Sequence, residues 1–218
     1  ENKWLGSKTG QGFYKKEGKD ILTLDLDTLE YRANKKASFA TLELTKTIEK
    51  PIDRFKVLVT GKDKAGDFYR KNFASMFQYC SNRIPEITDA FYKIDDAMKA
   101  GFGWENGPFE IWDAIGVEKG IELMKAEGYQ PASWVTDMLA SGNTSFYSIK
   151  DGATHFYSIT NKKVEKIPGQ DAFIILNNIR ESKKIWNNSD SIITDLGDGI
   201  INLEFTSKMN SIGAGVLQ

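Results

Sequence analysis

Tyr69-Arg70-Lys71-Asn72-Phe73-Ala74-Ser75-Met76-Phe77-Gln78-Tyr79-Cys80 sets Tyr69, Phe73, Met76, Phe77 and Cys80 on one helical face, at steps of 4, 3, 1 and 3. Further along, Ile87, Ala90, Phe91, Ile94, Ala97 and Met98 form a second apolar stripe. Pro85 suits a first helical turn and Gly101 a stop. Val117, Ile121 and Met124 predict another helix, stopped by Gly128. Trp134, Val135, Met138 and Leu139 predict one more, between Pro131 and Gly142. The middle of the chain therefore reads as an all-α module.

Outside it the period falls to two. Leu22, Leu24 and Leu26 alternate with polar residues, and Asp27-Thr28 leads on to Leu29 and Tyr31, a predicted hairpin. Residues 33–51 read as a polar connector with a short extended piece at Leu42–Leu44. Asp151-Gly152 and Gly197-Asp198-Gly199 each divide two strand-like runs, the strongest short-range hairpin signals present. Phe173–Trp186 is ambiguous between helix and extended chain. The fold class read from these patterns is α+β, a central all-α domain flanked by β-hairpins. Its divisions are 1–51, 52–142, 143–186 and 187–218.

Composition narrows the chemistry. The 218 residues carry 29 Lys+Arg against 30 Asp+Glu, so nothing pulls the chain toward nucleic acid or anionic lipid. One cysteine excludes an intrachain disulfide framework, and one histidine beside it leaves little for a zinc site. No apolar run reaches the ~20 residues of a membrane span, which predicts a soluble, cytoplasmic protein. The start at Glu1 without methionine and the end at Gln218 without a polar tail predict an excised segment.

Few residues stand out as chemical candidates. Gly61 and Gly66 have phosphate-loop spacing, but Asp67 replaces the lysine. Gly101, Gly103 and Gly107 miss the dinucleotide fingerprint by one residue, and a helix precedes them where a strand is required. His155 lacks an orienting partner, and Cys80 lies on an apolar helix face. Adjacent on a helix, Asp95 and Asp96 read as a solvated face, with Glu105 nearby. Asn143-Thr144-Ser145 and Asn187-Asn188-Ser189 match glycosylation acceptors, with no secretory signal to give them meaning. The richest stretch is aromatic: Phe102, Trp104, Pro108, Phe109 and Trp112 can lock helices together at an interface or line an apolar groove. No catalytic, cofactor-binding or metal-ligating residue is assigned.

Two stretches resemble one family. Asp95-Asp96-Ala97-Met98-Lys99-Ala100-Gly101-Phe102-Gly103-Trp104-Glu105-Asn106-Gly107-Pro108-Phe109-Glu110 is similar to the signature of the C-terminal helical domain of 3-hydroxyacyl-CoA dehydrogenases. Trp4-Leu5-Gly6-Ser7-Lys8-Thr9-Gly10-Gln11-Gly12-Phe13-Tyr14 resembles the segment closing a preceding copy of that domain, which makes the central helices a second copy. In the first copy an Asn-Arg pair contacts substrate about one long helix before the Gly-Phe-Gly loop. Asn82-Arg83 is only 18 residues before that loop, so the role is not carried onto Asn82; Tyr69-Arg70-Lys71 lies nearer the corresponding position.

Ser191–Ile200 and Leu203–Asn210 resemble the opening strands of an enoyl-CoA hydratase (crotonase) domain. These resemblances imply the central segment of a fused fatty-acid β-oxidation enzyme. An upstream nucleotide-binding domain would hold NAD and a His–Glu catalytic pair, and a downstream crotonase domain would supply hydratase carboxylates. The implied partners are those two domains and an acyl-CoA substrate, and a homodimer is compatible. The alternative is a stand-alone helical module for an apolar ligand or partner helix.

Overall fold

The computed structural model describes residues 2–218. It is α+β: eight α-helices and three separate three-stranded antiparallel sheets among the described residues. The first sheet joins β1 (Tyr14–Glu17), β2 (Asp20–Leu24) and β3 (Tyr31–Ala33). Between β2 and β3, the Asp25 carboxylate accepts from the amides of Asp27 and Thr28 and closes the turn. The predicted hairpin is therefore a three-stranded meander. The sequence reading missed β1, whose lysines and glutamate hide its pairing.

Seven helices follow without an intervening strand: α1 (Ala40–Thr45), α2 (Pro51–Thr60), α3 (Lys64–Asn82), α4 (Tyr92–Phe102), α5 (Pro108–Ile115), α6 (Val117–Ala126) and α7 (Ser133–Ala140). α1 replaces the extended piece expected at Leu42–Leu44. The Asp63 carboxylate fixes its start, accepting from the Thr41 amide at 2.9 Å and hydroxyl at 2.7 Å. The same carboxylate accepts from the Gly66 amide at 3.0 Å, capping α3. Pro85 does not open a helix. Residues 84–91 form a turn segment that buries Ile84, Ala90 and Phe91 while leaving Ile87 exposed, and α4 starts only at Tyr92.

Phe73 and Phe77 of α3 meet α5 and α6 around Trp112, which stacks on Phe77 at 4.7 Å between ring centroids. The Trp134 indole donates to the Ser81 carbonyl at 3.0 Å and ties α7 to the end of α3. These helices do not close a core by themselves, which corrects the expectation of an all-α module. Phe146 lies just before β4 (Tyr147–Lys150), and Phe156 and Tyr157 lie in β5 (Ala153–Ser158); all three belong to the helical core. Phe146 packs edge-on against Trp112, Phe109 and Phe91. Core packing thus runs on past residue 142.

Strand β6 (Lys163–Lys166) completes the second meander in a stretch that reads as merely polar. The ambiguous region resolves into the short helix α8 (Leu176–Ile179) and strand β7 (Lys184–Asn187). β7 joins β8 (Ser191–Gly197) and β9 (Ile200–Phe205) in the third sheet. Asp151 and Gly152, like Asp198 and Gly199, all have positive φ, as such tight hairpin turns require.

Candidate functional site

The aromatic residues singled out from the sequence separate in space. Phe102 is 76% exposed and Trp104 38%, whereas Pro108, Phe109 and Trp112 are buried. The Trp112 indole donates to the Val117 carbonyl at 3.0 Å, and a side chain at Gly120 would overlap its ring. Phe109 and Trp112 are core residues that join α5 to α6 and to the second sheet. Phe102 and Trp104 stand at the outward tip of the loop. The five therefore share no continuous surface.

Beneath that loop lies a charged cluster that the sequence reading placed wrongly. Asp95 is fully buried, whereas Asp96 next to it is solvated as expected. α5 starts with Gly107-Pro108, so it has no capping side chain of its own for its first amides. Asp95 of α4 does this from across the loop, accepting from the Phe109 amide at 2.9 Å and the Glu110 amide at 3.1 Å. Any side chain at Gly107 would overlap Asp95, which is why glycine is needed there. Glu110 folds back to accept from the Gly107 amide at 2.8 Å. Its second oxygen accepts from the Lys99 ammonium at 2.7 Å, and Asp96 flanks the same ammonium at 3.4 Å. The sequence did hold a signal: a helix opening on Gly-Pro and running straight into buried residues must borrow its cap from another element.

One turn further along α5, Asp113 accepts from the amides of Phe146 at 2.7 Å and Tyr147 at 2.8 Å. The Tyr147 hydroxyl returns to Asp95 at 2.7 Å. Two carboxylates and one phenol thus lace α4, α5 and β4 together. Burial pushes the Asp95 carboxyl up to about 7, against the opposing pull of its three donors. Burial does the same to Asp113, again to about 7, with the Phe146 and Tyr147 amides opposing it. Burial and the facing Asp95 also raise the Tyr147 phenol. Burial works against the Lys99 ammonium, but Glu110 and Asp96 hold it above its ordinary value.

The cluster forms one wall of a cleft of about 740 Å³, which Ile149, Ile167 and Phe173 close on the apolar side. Perturbed carboxylates in a cleft are the usual mark of acid–base chemistry. Here the donors decide otherwise. Every oxygen of Asp95, Glu110 and Asp113 accepts from a group of the protein itself, and Lys99 is bracketed by two carboxylates. A general base needs a lone pair facing a substrate proton. The arrangement is suited to holding three elements in register.

The remaining candidates are quieter. The His155 ring nitrogen Nδ1 is 3.1 Å from the Ala153 carbonyl, and burial pushes the half-buried Cys80 thiol up to about 11. Among the described residues no group of three His, Cys, Asp or Glu could hold a metal ion. The phosphate-loop spacing at Gly61 and Gly66 does not make a phosphate site. The α3 N-terminus is occupied by the Asp63 carboxylate, which the Thr41 and Gly66 amides hold down to about 2. A phosphate there would meet a negative charge. No helix is long and apolar enough to cross a membrane among the described residues.

No family model and no solved structure matches the chain. Over its whole length it is 40% identical to a probable 3-hydroxyacyl-CoA dehydrogenase of Bacillus subtilis, of which it covers 28%. A putative fatty acid oxidation complex trifunctional enzyme of Rickettsia felis is 22% identical over 99% of the chain, which covers 26% of that protein. The corresponding Rickettsia prowazekii protein is 27% identical over 57% of the chain. The chain spans less than a third of the length of the curated relatives it matches. It is a homologue of one part of proteins named 3-hydroxyacyl-CoA dehydrogenase and fatty acid oxidation trifunctional enzyme.

Proposed function

We propose that this chain is the central, non-catalytic segment of a fatty-acid β-oxidation enzyme that oxidises 3-hydroxyacyl-CoA with NAD and is fused to an enoyl-CoA hydratase. The observation that carries this reading is the match along the full chain to a much longer protein bearing the dehydrogenase name. The closed cluster adds support, because its buried carboxylates are spent on backbone donors. In this reading residues 52–142 supply the helices of a dehydrogenase C-terminal-like domain whose core also takes in Phe146, Phe156 and Tyr157, and 1–51 connect it to a preceding copy. Residues 143–186 hold the hairpin that packs into that core and then a linker, and 187–218 open a crotonase-like domain. NAD and the catalytic pair belong to a nucleotide-binding domain elsewhere in the parent. The segment positions that domain and the hydratase, and its aromatic tip at Phe102 and Trp104 meets a neighbouring domain or subunit.

The test is an assay of the purified 218-residue chain with NAD and a 3-hydroxyacyl-CoA. The expected result is no NADH formed above the protein-free rate. Sustained turnover by the chain alone would overturn the proposal.

A further inference from the structure

Asn106-Gly107 is the one Asn-Gly pair in the chain. Asparagine is among the thermally fragile side chains, because the amide nitrogen that follows it can attack its carboxamide carbon. Glycine in the next position removes the side chain that would crowd such an attack. The pair lies in the loop between α4 and α5, where Asn106 is half-buried and lines the carboxylate cleft. Among the described residues no hydrogen bond holds its carboxamide. What is held is the nucleophile. The Gly107 amide donates to Glu110 at 2.8 Å, and Lys99 fixes Glu110 in turn at 2.7 Å. Asp95 packs so closely on Gly107 that no added carbon fits between them.

While these contacts persist, the amide proton of Gly107 is spent on a carboxylate and its nitrogen is fixed at the start of α5. When the first turn of α5 opens, that nitrogen is free to reach Cγ of Asn106. Local openings of this kind cost less than global unfolding. The chemistry needs no reactant but water. The Gly107 nitrogen loses its proton and bonds to Cγ, the Cγ–Nδ2 bond breaks, and the side-chain nitrogen leaves with that proton as ammonia. Water then opens the five-membered imide at either carbonyl. Attack at Cγ leaves an aspartate, and attack at the main-chain carbonyl carbon leaves an isoaspartate, with the chain running through the side chain. The isoaspartate chain is one methylene longer beside Gly107, where Asp95 leaves no room. Both products add a carboxylate to a cleft wall that already holds Asp96, Glu110 and Asp113.

We propose that Asn106 is a site of spontaneous deamidation guarded by the Gly107–Glu110 contact, reacting only when the start of α5 opens and leaving a product that keeps it from closing on Asp95 again. The inference does not depend on the function proposed above. The test is timed incubation of the 218-residue chain in mildly alkaline buffer, followed by tryptic peptide mapping. The peptide Ala100–Lys119 holds no other asparagine and no glutamine, so conversion of an amide to an acid within it reports Asn106 alone. The folded chain should convert at least about tenfold more slowly than the same chain in denaturant. Glu110→Ala removes the guard and should speed conversion in the folded chain by roughly tenfold, the scale of one charge-assisted hydrogen bond. Glu110→Gln keeps an acceptor and should convert more slowly than Glu110→Ala. Asn106→Gln, one carbon too long for the five-membered ring, should stay unmodified over the same period.

A melting curve checks that each variant folds. If Glu110→Ala does not, Lys99→Ala decides, since it loosens Glu110 from the surface and its rate should lie between those of the wild type and the denatured chain. Equal rates in the folded and denatured chains would overturn the proposal, as would no conversion in denaturant or a folded rate unmoved by loss of the guard. A converted chain whose Phe109 and Glu110 amides exchange as slowly as before would overturn the claim that the product holds α5 open.

Discussion

The second and third sheets share a topology and differ in almost everything that gives them stability. Both are three-stranded antiparallel meanders with an Asp-Gly pair in a tight turn. The β4–β6 sheet sends Phe156 and Tyr157 into the helical core, and Asp113 of α5 holds its leading edge by two backbone amides. The β7–β9 sheet leaves Ile200, Ile201 and Leu203 more than half exposed. Its attachment to α8 is an Arg180–Glu204 ion pair, with Arg180 Nε donating at 2.9 Å. Turn chemistry makes a hairpin in both cases. What docks a hairpin onto a domain is its aromatic side chains and the acceptors waiting for its free edge.

The contrast can be broken most forcefully at the shared core. Phe146→Ala and Trp112→Ala should each cost about 3–5 kcal/mol in chemical denaturation, since both rings are almost fully buried. Leu203→Ala in the third sheet should cost well under 1 kcal/mol by the same measurement, because exposed positions lie near neutrality. Equal losses would mean that the two sheets are docked alike.

Asp113→Ala comes next in size. It strands two amide donors, each at about 1–3 kcal/mol, and a total near 2–4 kcal/mol is expected. Amide exchange at Phe146 and Tyr147 should accelerate, while exchange in β8 stays as it was. Uniform acceleration across both sheets would contradict the local role given to Asp113.

The same cluster makes stability depend on pH. The Asp95 and Asp113 carboxyls are raised from 3.8 to about 7 in the folded chain, so the folded state binds protons more tightly than the unfolded one. Their contribution to stability is fully present below about pH 4 and fades as pH rises toward 7. Denaturation at pH 8 should therefore show lower stability than at pH 5, by roughly 2–3 kcal/mol for each group, and the difference should shrink in Asp95→Asn. Asp63 acts with opposite sign, since its folded value is lowered, and its contribution is lost only as pH falls from about 4 toward 2. The smallest effect belongs to the loop tip. Phe102→Ala should stay within about 0.5 kcal/mol, and Trp104→Ala should cost less than Phe109→Ala by several fold.

Much of this was legible in the sequence, and the gaps have physical causes. The stripe through Phe73 and Phe77 and the two Asp-Gly turns report local periodicity and φ preference, which a single segment carries by itself. β1 and β6 are hidden because three of the four residues in each are charged, and pairing to a neighbour is invisible in either strand alone. Asp95 was misread because its partners, the Phe109 amide and the Tyr147 hydroxyl, lie 14 and 52 residues away. In sequence the aromatic run from Phe102 to Trp112 reads as one unit. The closeness of its members in sequence hides the fact that α5 turns Phe109 and Trp112 inward while Phe102, at the end of α4, and Trp104 of the loop stay outside.

The most direct test of the buried cluster as a structural clasp is a double-mutant cycle between Asp95→Ala and Tyr147→Phe, read by chemical denaturation. Residues joined by a buried charge-assisted hydrogen bond should couple by about 1–3 kcal/mol. The expected result is a coupling of at least about 1 kcal/mol, with Tyr147→Phe alone losing stability. Strict additivity of the two changes would contradict the clasp and return Asp95 to the list of groups free for other chemistry.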